Sequence, residues 1–295
     1  MTTLGIVGAG AVGQTLATAV TSAGLSESLL VNSRTGQQAQ ALVDDLNDLA
    51  TATGSRTRAT AGALTDLFAC DALVITARAS FTNNASTNVR LAGAAANAPV
   101  IRLLAAIMRG YRGTVVMVTN PVDLMSRLFA EFSGCSRVYG VGSNLDTARY
   151  HLALARHLDV PACAISGHVI GEHGDNAVIC CSTTTVNGEP VPVPLKAVRD
   201  ELRARPGRIS AGIGRTRSGP SGAVLHTLRL ALGHLDGTTE LTAEHDGGWY
   251  GIPLRFTAGQ PIPCLPPLDQ TETRLLEAAA RKLRSAYQQL PEGTP

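Results

Sequence analysis

The sequence predicts an α/β fold: an N-terminal doubly wound parallel sheet followed by an α+β portion. Three observations carry that prediction. Short, near-continuously apolar segments alternate with helix-like ones, the pattern of parallel strands covered on both faces. The first apolar segment runs straight into the glycine-rich turn of "GIVGAGAVG". Beyond about residue 145 the alternation gives way to short strand-loop-strand and hairpin texture. The expected boundary sets one unit at 1–143 and a second at 144–295.

The elements follow in order. Residues 3–8 read as a buried strand, Val12–Ala23 as a helix, and "SLLVN" (28–32) as a second strand. Leu42, Leu46 and Leu49 recur at helical spacing within 36–50. "ALVIT" (72–76) is a strand and 78–88 a polar loop. A helix follows over Val89–Met108, with Pro99 marking a kink or break. Strands are expected at 113–121, running into a tight Asn-Pro turn, and at 137–142. The second half reads as a helix over Leu145–His157, strand-loop-strand over 164–182 and a hairpin over 183–194. Helices at 195–204, 218–235 and 270–289 complete it.

Composition narrows the function classes. The chain has 295 residues, 44% apolar and 16% charged, with net charge +2, which favours a folded globular protein over a disordered one. No basic block points to nucleic acid or an anionic membrane. No run of about twenty apolar residues predicts a spanning helix. The N-terminal "MTTLGIVGAGAVG" lacks the basic region of a secretory signal. The six cysteines show neither CxxC nor metal spacing, so reduced thiols, a cytoplasmic location and no metal are expected.

Gly8, Gly10 and Gly13 form G-x-G-x-x-G between the first strand and the first helix. The first permits the turn, the second lets backbone approach a pyrophosphate, and the third lets helix and strand pack closely. Ala11 and Val12 open the helix, whose N-terminus suits phosphate. A strand-end acid that binds the adenine ribose of NAD belongs about 20 residues on. Asn32 stands there instead, nineteen residues after Gly13, followed by Ser33 and Arg34. Asn32 cannot repel a 2′-phosphate, Ser33 offers a hydroxyl and Arg34 a charge. The reading is therefore NADP(H) preferred with NAD(H) possible; the bland alternative is an ordinary turn and helix cap.

Three further stretches, "NPVDLM" (120–125), "LDTARY" (145–150) and "IGEHGD" (170–175), follow the glycine turn in order. With "DDLND" (44–48) and "GRTRSG" (214–219), they resemble the lactate/malate dehydrogenase family of 2-hydroxy acid dehydrogenases along nearly the whole chain. The resemblance implies a Rossmann domain and hydride transfer between a nicotinamide cofactor and a small 2-oxo or 2-hydroxy acid. His173, an imidazole that titrates near neutrality, is the natural proton donor. Asp146 could pair with its ring, favouring the charged form and fixing the tautomer. Arg149, three residues on and on the same helix face, carries a planar fork suited to a carboxylate. The resemblance further implies Arg90 on a mobile loop polarising the ketone, with Asn97 seven residues later. It implies Asn120 on the nicotinamide side before a cis proline, and Thr216 in the pocket wall. Thr76, Ala77 and Arg78, ending a central strand, join the cofactor set. Members are usually dimers or tetramers, so a homodimer or homotetramer is implied.

The chain also departs from that pattern. The loop "RASFTNNASTNVR" (78–90) lacks the Gln or Arg, and the Lys-Pro-Gly, with which members that take lactate or malate read the substrate side chain. The reader falls at Thr82, Asn83 or Asn84. Arg78 stands at the loop base where glycine is usual. A specialised 2-oxo acid, rather than pyruvate or oxaloacetate, is therefore expected. The alternatives are an NAD-dependent malate or lactate dehydrogenase and a non-catalytic dinucleotide-binding protein.

Overall fold

The computed structural model describes residues 2–82 and 91–291. Six parallel strands form its N-terminal part: β1 (Thr3–Val7), β2 (Ser28–Asn32), β3 (Arg58–Ala61), β4 (Ala72–Ile75), β5 (Thr114–Met117) and β6 (Val138–Val141). Their order is β3-β2-β1-β4-β5-β6, so the chain winds outward in both directions from the β1–β4 neighbours. Such a switch point leaves a crevice at the carboxyl ends of the strands. β4 and β5 are buried along their whole length and are apolar apart from Thr114. Helices α1 (Ala11–Ala23), α2 (Gly36–Thr53), α3 (Ala94–Ile107) and α4 (Val122–Ser133) connect the strands. The pairs α1 with α2 and α3 with α4 pack on each other.

After α5 (Ser143–Leu158) come the short strands β7 (Ile165–Ser166), β8 (Val169–Gly171), β9 (Ala177–Ile179), β10 (Thr185–Val186) and β11 (Glu189–Pro190). Helices α6 (Leu195–Ile213) and α7 (Ser218–Ala231) precede the antiparallel β12 (Gly237–His245), β13 (Gly248–Thr257) and β14 (Gln260–Pro263). Helix α8 (Gln270–Gln288) closes the chain behind an Asp269/Glu272 capping box. The large sheet does not stop at β6. β12 pairs antiparallel with β6, and the sheet continues through β13 to β8 and β9.

Several elements differ from the sequence reading. β3 was invisible because it is an edge strand with one buried residue in four. β12 was hidden because Thr239, Glu240 and Thr242 occupy buried positions that an apolar pattern would fill. The Asp246-Gly247 turn, both residues at positive φ, was the available signal. Helix α6 runs past Pro206 to Ile213 instead of ending at 204. Its only buried residue is Val198, so the carbonyl that Pro206 leaves unpaired can turn to water. Pro99 likewise lies inside α3.

The glycine turn shows why two of its positions differ. A Cβ on Gly13 would lie 1.9 Å from the Gly8 carbonyl oxygen, whereas one on Gly10 meets nothing within 4 Å. Gly13→Ala should therefore destabilise the fold by about 1–3 kcal/mol or more. Gly10→Ala should stay within about 1 kcal/mol of the parent. Urea denaturation of both variants checks this; equal stabilities would refute the close-packing account.

Candidate active site

The glycine turn lies at the switch point. Gly8, at φ +112°, donates its N–H to the Asn32 carbonyl at 2.8 Å, and its own carbonyl accepts the Thr76 hydroxyl at 2.8 Å. Gly10 caps α1 without any side-chain acceptor, so the N–H groups of the first turn, beginning at Ala11 and Val12, lack a side-chain cap. Open space at Gly10 and an uncapped helix N-terminus are what a pyrophosphate needs, so the turn fits a dinucleotide.

The adenosine end is built differently. Asn32 turns its amide to the Gly62 carbonyl at 2.9 Å. The Ser33 hydroxyl donates to Gln38 at 2.6 Å and accepts the Ala9 N–H at 3.3 Å. Thr35, not Ser33 or Arg34, caps α2. Arg34 is exposed and reaches across to the loop after β4, touching the Arg78 carbonyl and the Ser80 hydroxyl at 3.5 and 3.4 Å. The Arg78 guanidinium stacks on Phe81, 4.9 Å from the ring centre. Two arginines thus meet at the end of the crevice where an acid was missing. Ala77 offers its carbonyl to Thr119 at 2.6 Å. Asn97 is buried and does not face the crevice freely: it accepts the Ala79 N–H at 2.8 Å and donates to the Asn120 carbonyl at 2.7 Å. It ties the loop base to the exposed Asn120, whose bond to Pro121 is cis.

His173, Asp146 and Arg149 converge beyond β6 and are 7%, 6% and 5% exposed. The i,i+3 pair on α5 is therefore buried, not a surface ion pair. His173 Nδ1 lies 2.6 Å from Asp146 Oδ2, while Asp146 Oδ1 accepts Arg149 Nη1 at 3.4 Å. One carboxylate orients both groups. The ring stacks on bare backbone: a Cβ on Gly142 would lie 2.4 Å from its Cγ. Thr216 sits in the turn between α6 and α7 and shares with Arg149 a cleft of about 690 Å³; His173 and Asn120 are not in its wall. Thr82 is exposed. Arg90, Asn83 and Asn84 lie outside the described residues.

Sequence reasoning missed the supports of this cluster. Glu172, almost fully buried, is gripped by both carboxylate oxygens by Lys282 of α8 at 2.9 and 2.8 Å. Asp123 accepts the His173 backbone N–H at 2.9 Å and the Thr242 hydroxyl at 2.5 Å. Asp123 stood inside the "NPVDLM" motif, so the signal was present but unassigned.

A profile described as lactate/malate dehydrogenase, NAD binding domain, matches residues 2–140. L-lactate dehydrogenase 3 of Bacillus cereus is 30% identical over 203 residues, covering 68% of this chain and 63% of that one. L-lactate dehydrogenase of Lactobacillus delbrueckii subsp. bulgaricus is 32% identical over 206 residues, covering 68% and 66%. The chain belongs to the lactate/malate dehydrogenase family. The matched stretches span about two thirds of those relatives' length, slightly less in both. The fold match is wider. A lactate dehydrogenase from a Medee basin deep-sea metagenome library superposes with TM-score 0.89 at 22% identity, over 97% of this chain and 98% of that one. Malate dehydrogenase from Plasmodium falciparum does so with TM-score 0.89 at 20% identity, over 98% of each chain.

Asp123 also yields a pH prediction for this family member. Burial pushes its carboxyl up to about 7, with the charges of Glu172 and Asp146 adding to the rise and the bonds from Thr242 and His173 opposing it. The folded state then holds a proton that the unfolded state, near the ordinary 3.8, releases. This group's contribution is fully present below about 4 and is lost as pH rises to about 7. Asn cannot ionise, so Asp123→Asn should gain stability relative to the parent across that window. The gain is on the order of 4 kcal/mol at ~1.4 kcal/mol per pH unit. Urea unfolding at about pH 4.5, near the start of that window, and at about pH 8, beyond its end, checks it; a difference independent of pH would refute the assignment.

Proposed function

We propose that the chain is a reductase of 2-oxo acids to 2-hydroxy acids, working equally as a 2-hydroxy acid dehydrogenase in reverse. The observation that carries the reading is the buried His173–Asp146–Arg149 cluster beside a dinucleotide crevice. A bound nicotinamide dinucleotide supplies the hydride to the ketone carbon. His173 then gives a proton from Nε2 to the new alkoxide and ends as neutral imidazole. With Nδ1 set against Asp146, Nε2 is the nitrogen assigned to the substrate in this reading. Arg149 binds the carboxylate with its fork, and the Asp146 oxygen on Nη1 keeps that fork from rotating. Arg90 polarises the ketone and Asn120 orients the nicotinamide side, roles carried by the family resemblance. Thr216 lines the pocket. A purely binding protein has no use for a buried acid shared between an imidazole and a guanidinium.

His173→Ala should lower kcat by about 10²–10⁴-fold with little change in cofactor affinity. Arg149→Lys, which keeps the charge and loses the fork, should lower kcat/KM by about tenfold or more. A screen of 2-oxo acids followed by nicotinamide absorbance supplies the substrate for both measurements. Wild-type rates in either variant would refute the assigned role.

The substrate we infer is a specialised 2-oxo acid, because loop 78–90, between Arg78 at its base and Arg90, carries no cation to meet the distal carboxylate of oxaloacetate and no Gln to read lactate. The matched relatives, named L-lactate dehydrogenases, favour the rival reading of an NAD-dependent lactate or malate dehydrogenase. A cytoplasmic location and a homodimer or homotetramer complete the reading.

For the cofactor we propose NADP(H). Asn32 removes a carboxylate that would repel a 2′-phosphate, and Arg34 and Arg78 stand at that end of the crevice. Among the described residues Arg34 makes only long, weak hydrogen bonds, to the Arg78 carbonyl and the Ser80 hydroxyl. One charge-assisted contact contributes about 1.5–3 kcal/mol, so NADPH should exceed NADH by roughly ten- to a hundredfold in kcat/KM. Asn32→Asp with Arg34→Ile should reverse the preference. The NAD binding description of the matching family profile favours the opposite outcome, and NADH used as well as NADPH would establish it.

A further inference from the structure

The chemistry of hydride and proton transfer does not call for Asp123, yet it is the most deeply placed acid of the site. It sits in the first turn of α4, 2% exposed, three residues beyond Asn120. Both of its oxygens are committed, Oδ2 to the His173 N–H and Oδ1 to the Thr242 hydroxyl of β12. Among the described residues no Lys or Arg forms a salt bridge with it. A buried acid without a cation is a costly way to satisfy one N–H and one hydroxyl. Such a local violation marks a positional demand.

The demand is visible in the loop it touches. His173 follows Gly171, at φ +82°, and precedes Gly174, so its main chain has little stiffness of its own. The bond from Asp146 to the ring sets a direction but leaves the backbone free to shift. We propose that Asp123 is a positioning residue for the proton donor: it fixes the main chain of His173 while Asp146 fixes the ring, so the imidazole is held at two points from two helices. The segment that carries Asn120 at the rim thereby also sets where the proton donor stands. The charged groups that face Asp123 are themselves engaged, Glu172 by Lys282 and Asp146 by Arg149 and His173. Ionised or neutral, the Asp123 carboxyl can keep Oδ2 as the acceptor, so the role lies in the acceptor and not in the charge.

The test separates acceptor from charge. Asp123→Ala removes the acceptor. Asp123→Asn keeps one, since its carbonyl oxygen can take the His173 N–H and its amide can face the Thr242 oxygen. In the folded Ala variant kcat should fall by roughly ten- to a hundredfold, with the dissociation constant of the preferred nicotinamide dinucleotide held within about twofold. The Asn variant should recover most of kcat. Amide hydrogen exchange at His173, read by NMR or mass spectrometry, should speed up by about tenfold or more in the Ala variant and return in the Asn variant. Asp123→Leu fills the space and carries the same readouts where the alanine variant does not fold. Wild-type kcat in a folded Ala variant overturns the proposal, as does an Asn variant as impaired as Ala. The inference rests on His173 as proton donor. If the wild type turns over no 2-oxo acid, that reading falls and exchange alone decides: unchanged protection of His173 in the Ala variant overturns the clamp.

Discussion

The carboxylate of Asp146 is the constraint on which the site depends. It faces an imidazole through one oxygen and a guanidinium through the other, with all three groups nearly out of water. Burying ionised groups is unfavourable unless each is paired and hydrogen-bonded, and removing one partner of a buried pair typically costs about 3–5 kcal/mol. The three groups therefore stand or fall together. Their spacing follows from the helix: positions 146 and 149 share a face of α5, so a single oxygen pair can reach Arg149 along the helix and His173 across from it.

What brings His173 across is the second half of the sheet. β12 pairs with β6 and β13 pairs with β8, so the chain entering the "GEHG" loop is registered against the strand that leads into α5. Gly142 completes the contact by presenting no side chain beneath the ring. The buried polar residues of β12 belong to the same arrangement. Thr242 meets Asp123, and Glu240 holds His168 Nδ1 at 2.5 Å. The sheet serves as a spacer that sets His173 at a fixed distance from the crevice at the glycine turn.

Much of this was legible in the sequence, for stated reasons. The strands from β1 to β6 other than β3 announced themselves because they are apolar along most of their length, with polar residues such as Thr3, Ser28, Asn32 and Thr114 only at their ends. Gly8, Gly10 and Gly13 were legible because turn and approach geometry demands their lack of a Cβ. His173, Asp146 and Arg149 were legible through motifs that resemble a family. β12 was not, since its buried threonines and Glu240 look like surface residues until their partners are known. Asp123 and Lys282 were missed for the same reason. Their worth lies in contacts to residues 50 and 110 positions away, which periodicity does not encode.

The same architecture separates chemistry from specificity. The base of loop 78–90 is pinned by Asn97, which holds the Ala79 N–H with one amide atom and the Asn120 carbonyl with the other. Asn97 is buried, and Thr119 adds a second tie through the Ala77 carbonyl. The supports of His173 come from α4, α5 and α8. Under the proposed function, the loop could depart from the family pattern while these supports stay in place. Under that same reading, an intact buried cluster beside a loop that departs from the family pattern is what selection on the substrate side chain would leave.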